Sequence, residues 1–265
     1  MNKVTLIGTI TRSPEFRNNN GLDILEMTVG GERREGDKSF PFYGRVNVLG
    51  KRVASIQSAG LAQGDAVLVE GTLEQNSWET EGGEKRSALR IKGMNVQKLS
   101  GNFETEQDQS GGLRMKGGRN LVQLSGHLGQ DAEVRQTDKG PVGDLRLAVT
   151  ESWTDKDGER QEKTHWVTVT VWRELAERAE GLRKGTPVYI EGALVNDSWT
   201  DKEGNKRNTQ KVEACDLQVL QRFSKPADSK PTDSKPSGSA RPEVVRSAGS
   251  QGAAGAAPSD EDMPF

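Results

Sequence analysis

Residues 165–172 read His165-Trp166-Val167-Thr168-Val169-Thr170-Val171-Trp172, a stretch in which the valines fall at every second position. A period of two is that of a half-buried strand. Val167, Val169 and Val171 take the core side and Trp166, Thr168, Thr170 and Trp172 the other. Just downstream, Glu174–Leu182 predicts a helix that must stop near Gly181. A further strand follows, with Ile190, Gly192 and Leu194 inward and Glu191, Ala193, Val195, Asp197 and Trp199 outward. Upstream, Leu145, Leu147 and Val149 share a face. Strands, one helix and strands again within about 100 residues predict an all-β fold, a small closed Greek-key barrel of OB type. A sandwich has no place for the helix, and a parallel βαβ fold needs more of them.

The pattern occurs twice. Asn2-Lys-Val-Thr-Leu-Ile-Gly8 returns as Asn120-Leu-Val-Gln-Leu-Ser-Gly126, 118 residues on, and Pro14-Glu-Phe-Arg17 returns as Ala132-Glu-Val-Arg135. Gly64-Asp-Ala-Val-Leu-Val-Glu-Gly-Thr-Leu73 returns as Gly185-Thr-Pro-Val-Tyr-Ile-Glu-Gly-Ala-Leu194 at an offset of 121. The first copy has its own rows, Leu25, Met27 and Val29 among them, and its own helix at Lys51–Ser58 with Gly60 beyond it. Loop insertions explain the drift of the offset. The chain therefore reads as tandem OB-folds over 1–100 and 120–223.

Between them, 101–119 reads as a flexible connector, with Gln-Ser-Gly-Gly and Lys-Gly-Gly-Arg and no hydrophobic period. Beyond Phe223, three Lys-Pro pairs and a Gly/Ala/Ser run make 224–259 a disordered linker that cannot bury a core. It ends in an acidic tip, 260–265, Asp260-Glu261-Asp262-Met263-Pro264-Phe265. A tether of that length reaches about 33 Å as a coil. Carboxylates around an aromatic plug suit a basic-rimmed pocket on a partner protein.

Composition narrows the chemistry. Of 265 residues, 32% are hydrophobic and 29% charged, with net charge −2. One Cys (Cys215) excludes a disulfide framework and any multi-cysteine zinc site, and two His leave little for metal or acid–base work. No metal or cofactor is expected. Cys215 reads as a small hydrophobe in the last strand, and His165 as a strand or interface residue. No run approaches the length of a membrane helix and no signal peptide is legible, so the expectation is a cytoplasmic, nucleoid-associated protein with no membrane partner. The chain has no Walker loop, no His-Glu-x-x-His and no nucleophile elbow, so it does not read as an enzyme.

The outward faces are unusual. Trp166 and Trp172 share one strand face in module two, matched in module one by Tyr43, Arg45, Asn47 and Leu49. Trp78 and Trp199 repeat on the next hairpin, each followed by a basic pair, Lys85-Arg86 or Lys206-Arg207, and Trp153 opens a further charged loop. Flat rings edged by cations suit unpaired bases, whose stacking is worth roughly 1–3 kcal/mol each, with phosphates neutralised alongside. A duplex hides its bases and gains nothing from them. Module one sums to +2 and module two to −3, so binding must rest on stacking and local cation clusters. RNA binding and protein scaffolding are the alternatives.

These residues resemble the bacterial single-stranded DNA-binding protein family. The likeness runs through Asn120 to Gly126, Glu133-Val-Arg135, Thr150-Glu-Ser-Trp153, Trp166 to Trp172, Leu182-Arg-Lys-Gly185, Val188 to Gly192, Ser198-Trp-Thr200 and the last six residues. It is looser in module one, and two modules on one chain look like the variety found in Deinococcus–Thermus bacteria. The resemblance implies a homodimer of four barrels, roles in replication, recombination and repair, and recruitment of enzymes of those processes by the tip. It maps stacking onto Trp153, Trp166, Trp172 and Trp199. In module one it puts Tyr43 for Trp166, Leu49 for Trp172, Trp78 for Trp199 and Arg33 where Trp153 would stand. Arg17 and Arg135 fall at a family position suited to phosphate. Arg45 matches a basic position where module two has Thr168. Module one is thus expected to bind more by charge and less by stacking.

Overall fold

The computed structural model describes residues 1–79, 83, 85–200, 204 and 206–220, and their side chains except at 35, 77, 78, 85, 86, 198–200 and 206–208. The linker and the acidic tip lie outside the described residues.

The first module is β1 (Asn2–Ile10), β2 (Glu15–Asn19), β3 (Leu22–Glu35), β4 (Lys38–Leu49), α1 (Arg52–Ser58), β5 (Ala66–Glu79) and β6 (Lys85–Lys98). Its strands run β1-β5-β6-β4-β3, and β3 returns to pair with β1, closing an OB barrel. After β7 (Thr105–Gln107) and β8 (Leu113–Met115), the second module repeats the plan. It consists of β9 (Arg119–Leu128), β10 (Glu133–Thr137), β11 (Gly140–Thr154), β12 (Arg160–Trp172), α2 (Glu174–Ala179), β13 (Pro187–Thr200) and β14 (Lys206–Val219), closed by β11 on β9. Each barrel has one parallel pair, β4 with β6 and β12 with β14.

The alternation read from the sequence fills the interiors. Val167, Val169 and Val171 are fully buried, as are Val46 and Val48 in barrel one. Each helix plugs its barrel with two buried residues, Val53 and Ile56 in α1, Ala176 and Ala179 in α2. In each module the chain then turns at a left-handed glycine, Gly60 or Gly181, with φ of 60° and 79°.

Two repeated residues have a structural reason. The Asn2 side-chain amide donates to the Leu73 carbonyl and its oxygen accepts the Leu73 N–H, both at 2.9 Å. Asn120 makes the same two bonds to Leu194. The glycines of the repeated Glu-Gly sit at β-bulges, where a Cβ on Gly71 would lie 2.1 Å from the Lys92 carbonyl oxygen and one on Gly192 2.2 Å from that of Glu213. Only glycine admits that approach. The second bulge also accounts for Ala193, expected outward but 3% exposed, because a bulge re-aims its neighbours.

The barrels are fused edge to edge. β1 and β9 pair antiparallel over Asn2–Ile7 and Arg119–Leu124, making one continuous sheet of twelve strands. The connector is not a bare tether. β7 and β8 form a hairpin laid on barrel one, with the Leu113 N–H donating to the Thr11 carbonyl at 3.0 Å and the Glu32 N–H to that of Gly117 at 2.8 Å. Met115 is buried beneath it, and Arg114 pairs with Glu32 and Glu106. Three residues per strand are too few for periodicity to betray, and the side-chain anchors, among them Thr9 on the Leu113 carbonyl, Arg12 on that of Ser110 and Gln63 on that of Gly111, come from far away in sequence.

Candidate nucleic-acid interface

In an antiparallel sheet, directly opposed residues share a face, so the registers lay out the open surface of each barrel row by row. Across β10, β11 and β12 the rows are Arg135–Val142–Trp172, Glu133–Asp144–Thr170, Arg146–Thr168 and Ala148–Trp166. Across β2, β3 and β4 they are Arg17–Ile24–Leu49, Glu15–Glu26–Asn47, Thr28–Arg45 and Gly30–Tyr43. The two sets match position for position. Trp166 and Trp172 stand six residues apart along one strand, roughly 20 Å.

This layout resolves the mismatch at Thr168. Barrel one carries its cation on β4, Arg45 opposite Thr28; barrel two carries it on β11, Arg146 opposite Thr168. The positive charge has crossed the strand pair and kept its place on the surface. Arg146 was missed by reading each strand alone; comparing cross-strand pairs in the two modules reveals it.

Trp166 is 38% exposed, and the Arg146 guanidinium lies over its ring, 5.5 Å from the centroid. Gly129 packs against the same ring so closely that a Cβ there would lie 2.2 Å from Cζ3. Trp172 is half-buried. Thr170 departs from the open face and is buried, its hydroxyl donating to Asp144 Oδ1 at 2.7 Å. Trp153 is the most open indole described, at 46%, but strand alternation puts it on the side of Val149 and His165, not of Trp166. It lies where the β11–β12 hairpin runs out past the core, so neither side is covered.

Barrel one is the more closed. Tyr43 is half-buried; its hydroxyl donates to Asp108 Oδ2 at 3.2 Å and its carbonyl accepts the Gln210 side chain at 2.6 Å. Asp108 Oδ1 in turn accepts the Ser110 hydroxyl and the N–H groups of Ser110 and Gly112, which hold the carboxyl down at about 2. The connector turn thus grips the barrel-one aromatic. Arg45 remains exposed on the wall of a groove shared with Tyr43, Arg12, Asn196 and Gln210.

The other expected contacts divide. Arg17 pairs with Glu26 at 2.6 Å and Arg135 with Asp144 at 3.5 Å, both exposed. Arg33 is corrected: pairing sets it opposite Phe40, level with the Glu151–Lys163 pair, while the level of Trp153 belongs to residue 35 opposite Lys38. Its guanidinium lies 5.7 Å from the Phe40 centroid and binds Glu213 of barrel two at 3.0 Å, an interbarrel tie. Cys215 is also corrected, being exposed on β14. The side chains of Trp78, Lys85, Arg86, Trp199, Lys206 and Arg207 lie outside the described residues.

One further cluster sits at the seam. Glu74, Glu151 and His165 bring ligand-type atoms within 4.8 Å of one another. His165 is 1% exposed, and its Nδ1 accepts the Gln75 N–H at 3.4 Å. The neutral ring therefore carries its hydrogen on Nε2, which lies 3.7 Å from Glu151, beyond hydrogen-bond reach, and is a buried N–H with no partner among the described residues; a protonated nitrogen is not a metal ligand.

Residues 1–99 and 119–220 each match the model of the Single-strand binding protein family. The chain is 43% identical to the single-stranded DNA-binding protein of Deinococcus radiodurans over 239 residues, 86% of this chain and 78% of that one. It is 37% identical to the protein of that name from Thermus aquaticus over 275 residues, covering 100% and 98%. The wild-type crystal structure of the Thermus aquaticus protein superposes with a TM-score of 0.66 at 33% identity, covering 86% of this chain and 96% of that one.

Proposed function

The chain belongs to the Single-strand binding protein family, and we propose that it binds single-stranded DNA without sequence preference, by stacking bases on exposed indoles and neutralising phosphates with neighbouring arginines. The observation that carries this reading is the row pattern of barrel two, where Trp166 stands in solvent with Arg146 beside it and Trp172 and Arg135 further along the same face. Stacking is indifferent to base identity because every base has a π-face. Barrel one contributes chiefly charge, through Arg45 and the exposed Arg17, with Tyr43 held in part under the connector. Trp153, Trp78 and Trp199 extend the surface along the hairpins, with Lys85, Arg86, Lys206 and Arg207 as their cations.

The same reading gives the chain a place in DNA replication, recombination and repair, with Asp260 to Phe265 holding partner enzymes near the coated strand and two chains assembling as a homodimer. Removing residues 260–265 tests the division of labour. Affinity for oligo-dT should stay within about twofold while capture of replication and repair enzymes is lost; a large loss of affinity would overturn it. Sedimentation of the full chain tests the dimer, and a monomer at micromolar concentration would refute it.

A further inference from the structure

Arg146 holds the ring that a base would use. Its guanidinium lies over Trp166 at 5.5 Å, close enough for a cation–π contact. Among the described residues it has no carboxylate partner, whereas Arg17, Arg33 and Arg135 each have one. It comes from the neighbouring strand, diagonally across from Trp166 on the same face, so the contact is not forced by backbone position. A long side chain with no ionic tether and many rotamers can leave such a surface at small cost.

We propose that Arg146 is a displaceable placeholder: it covers the Trp166 ring in the free protein, gives way when a base stacks there, and turns to the phosphate beside that base. The cation then acts twice with opposite signs. It competes with the base for the ring, and it attracts the backbone that carries the base. The competition is a short-range contact that salt barely screens, while the phosphate attraction weakens steeply with salt. Among the described residues no cation lies over the Tyr43 ring of barrel one: Arg45 stands two residues away on the same strand, and Arg114 meets the phenol at its hydroxyl. This inference rests on the proposed stacking at Trp166 and extends it.

The test is the salt dependence of binding to end-labelled oligo-dT, read by anisotropy with the full chain and with Arg146→Gln and Arg146→Lys. Loss of one phosphate contact should make the slope of log K against log salt shallower by about 0.7 in Arg146→Gln. Its line should therefore cross that of the unaltered protein. The variant binds more weakly at low salt, and at high salt about two- to fivefold more tightly, because the ring is free. Arg146→Lys, a strongly hydrated point charge that stacks poorly, should keep the slope and show the high-salt gain. Parallel lines, with Arg146→Gln weaker at every salt, would mean that the arginine only props the ring, and would overturn the proposal while leaving the stacking reading intact. Identical lines would overturn it as well. An unaltered protein with no affinity for oligo-dT would bring down both.

Discussion

His165 of barrel two accepts, through Nδ1, the backbone N–H of Gln75 in barrel one at 3.4 Å. The bond ties one barrel's main chain to the other's side chain at a place sealed from water, and it works only while Nδ1 is unprotonated. Burial is the main reason that the His165 pKa lies below its ordinary value; Lys163 and Lys92 push the same way, against Glu74 and Glu151.

A pH dependence follows. Because the folded pKa is lowered, the unfolded chain binds the proton more readily. The contribution of His165 is then fully present above about 6.5 and is lost as the pH falls below it toward the folded value. Thermal unfolding between pH 8 and pH 5 should give a Tm that falls with acid, and His165→Gln should flatten that fall between pH 6.5 and 5. A wild-type Tm unchanged over this range would contradict the assignment.

The grip of the connector on Tyr43 should fail only in stronger acid. Asp108 is held at about 2 against an ordinary 3.8, and Glu32 is also lowered, first by the Ser39 hydroxyl and also by Arg114. The stability they supply is present above the ordinary carboxylate range and disappears as the pH drops through their folded values. Amide exchange at Leu113 and Glu32, the two N–H groups that bond across the connector, should stay slow at pH 4. In Asp108→Asn it should quicken already at pH 7; no change there would show that the turn is held by its backbone bonds alone.

Two glycines separate binding from stability. Gly129→Ala places a methyl on the Trp166 ring and should weaken oligo-dT binding about fivefold or more by displacing a stacking platform, with Tm nearly unchanged. Gly71→Ala drives a Cβ into the Lys92 carbonyl and should cost about 1–3 kcal/mol of stability, read by denaturant unfolding, with the affinity of the remaining folded protein preserved. Swapped outcomes would mean that the two faces have been misassigned.

Trp166→Ala should lower oligo-dT affinity more than Tyr43→Ala does. The indole is 38% exposed beneath an arginine with no carboxylate partner among the described residues, while the phenol is half-buried and bound to Asp108. Loss of one base stack is worth roughly 1–3 kcal/mol, or about five- to 150-fold. Equal losses in the two variants would contradict the asymmetry between the barrels.

Much of this was legible before any coordinates. A period of two in Val167 to Val171 and its repeat around Val46 gave strands and their inward faces, and Gly60 and Gly181 marked the helix ends. What escaped depends on partners far away in sequence. Arg146 gains meaning only opposite Thr168, Arg33 stands two pairs from the level of Trp153 because loop lengths hide register, and Thr170 is buried by a carboxylate on the neighbouring strand. The connector hairpin is held by main-chain bonds and by side chains such as Asp108 and Arg114, whose partners Tyr43 and Glu32 lie 65 and 82 residues away in sequence. Cys215 looked apolar by type but faces out.

The most direct trial is a titration of intrinsic tryptophan fluorescence with oligo-dT, oligo-U and a DNA duplex, in the full chain and in Trp166→Phe. Strong quenching by oligo-dT, markedly less by oligo-U, little by the duplex, and a reduced amplitude in the variant are the expected results. Comparable quenching by oligo-U would make the protein an RNA binder, and no quenching by any of them would contradict base stacking on these barrels outright.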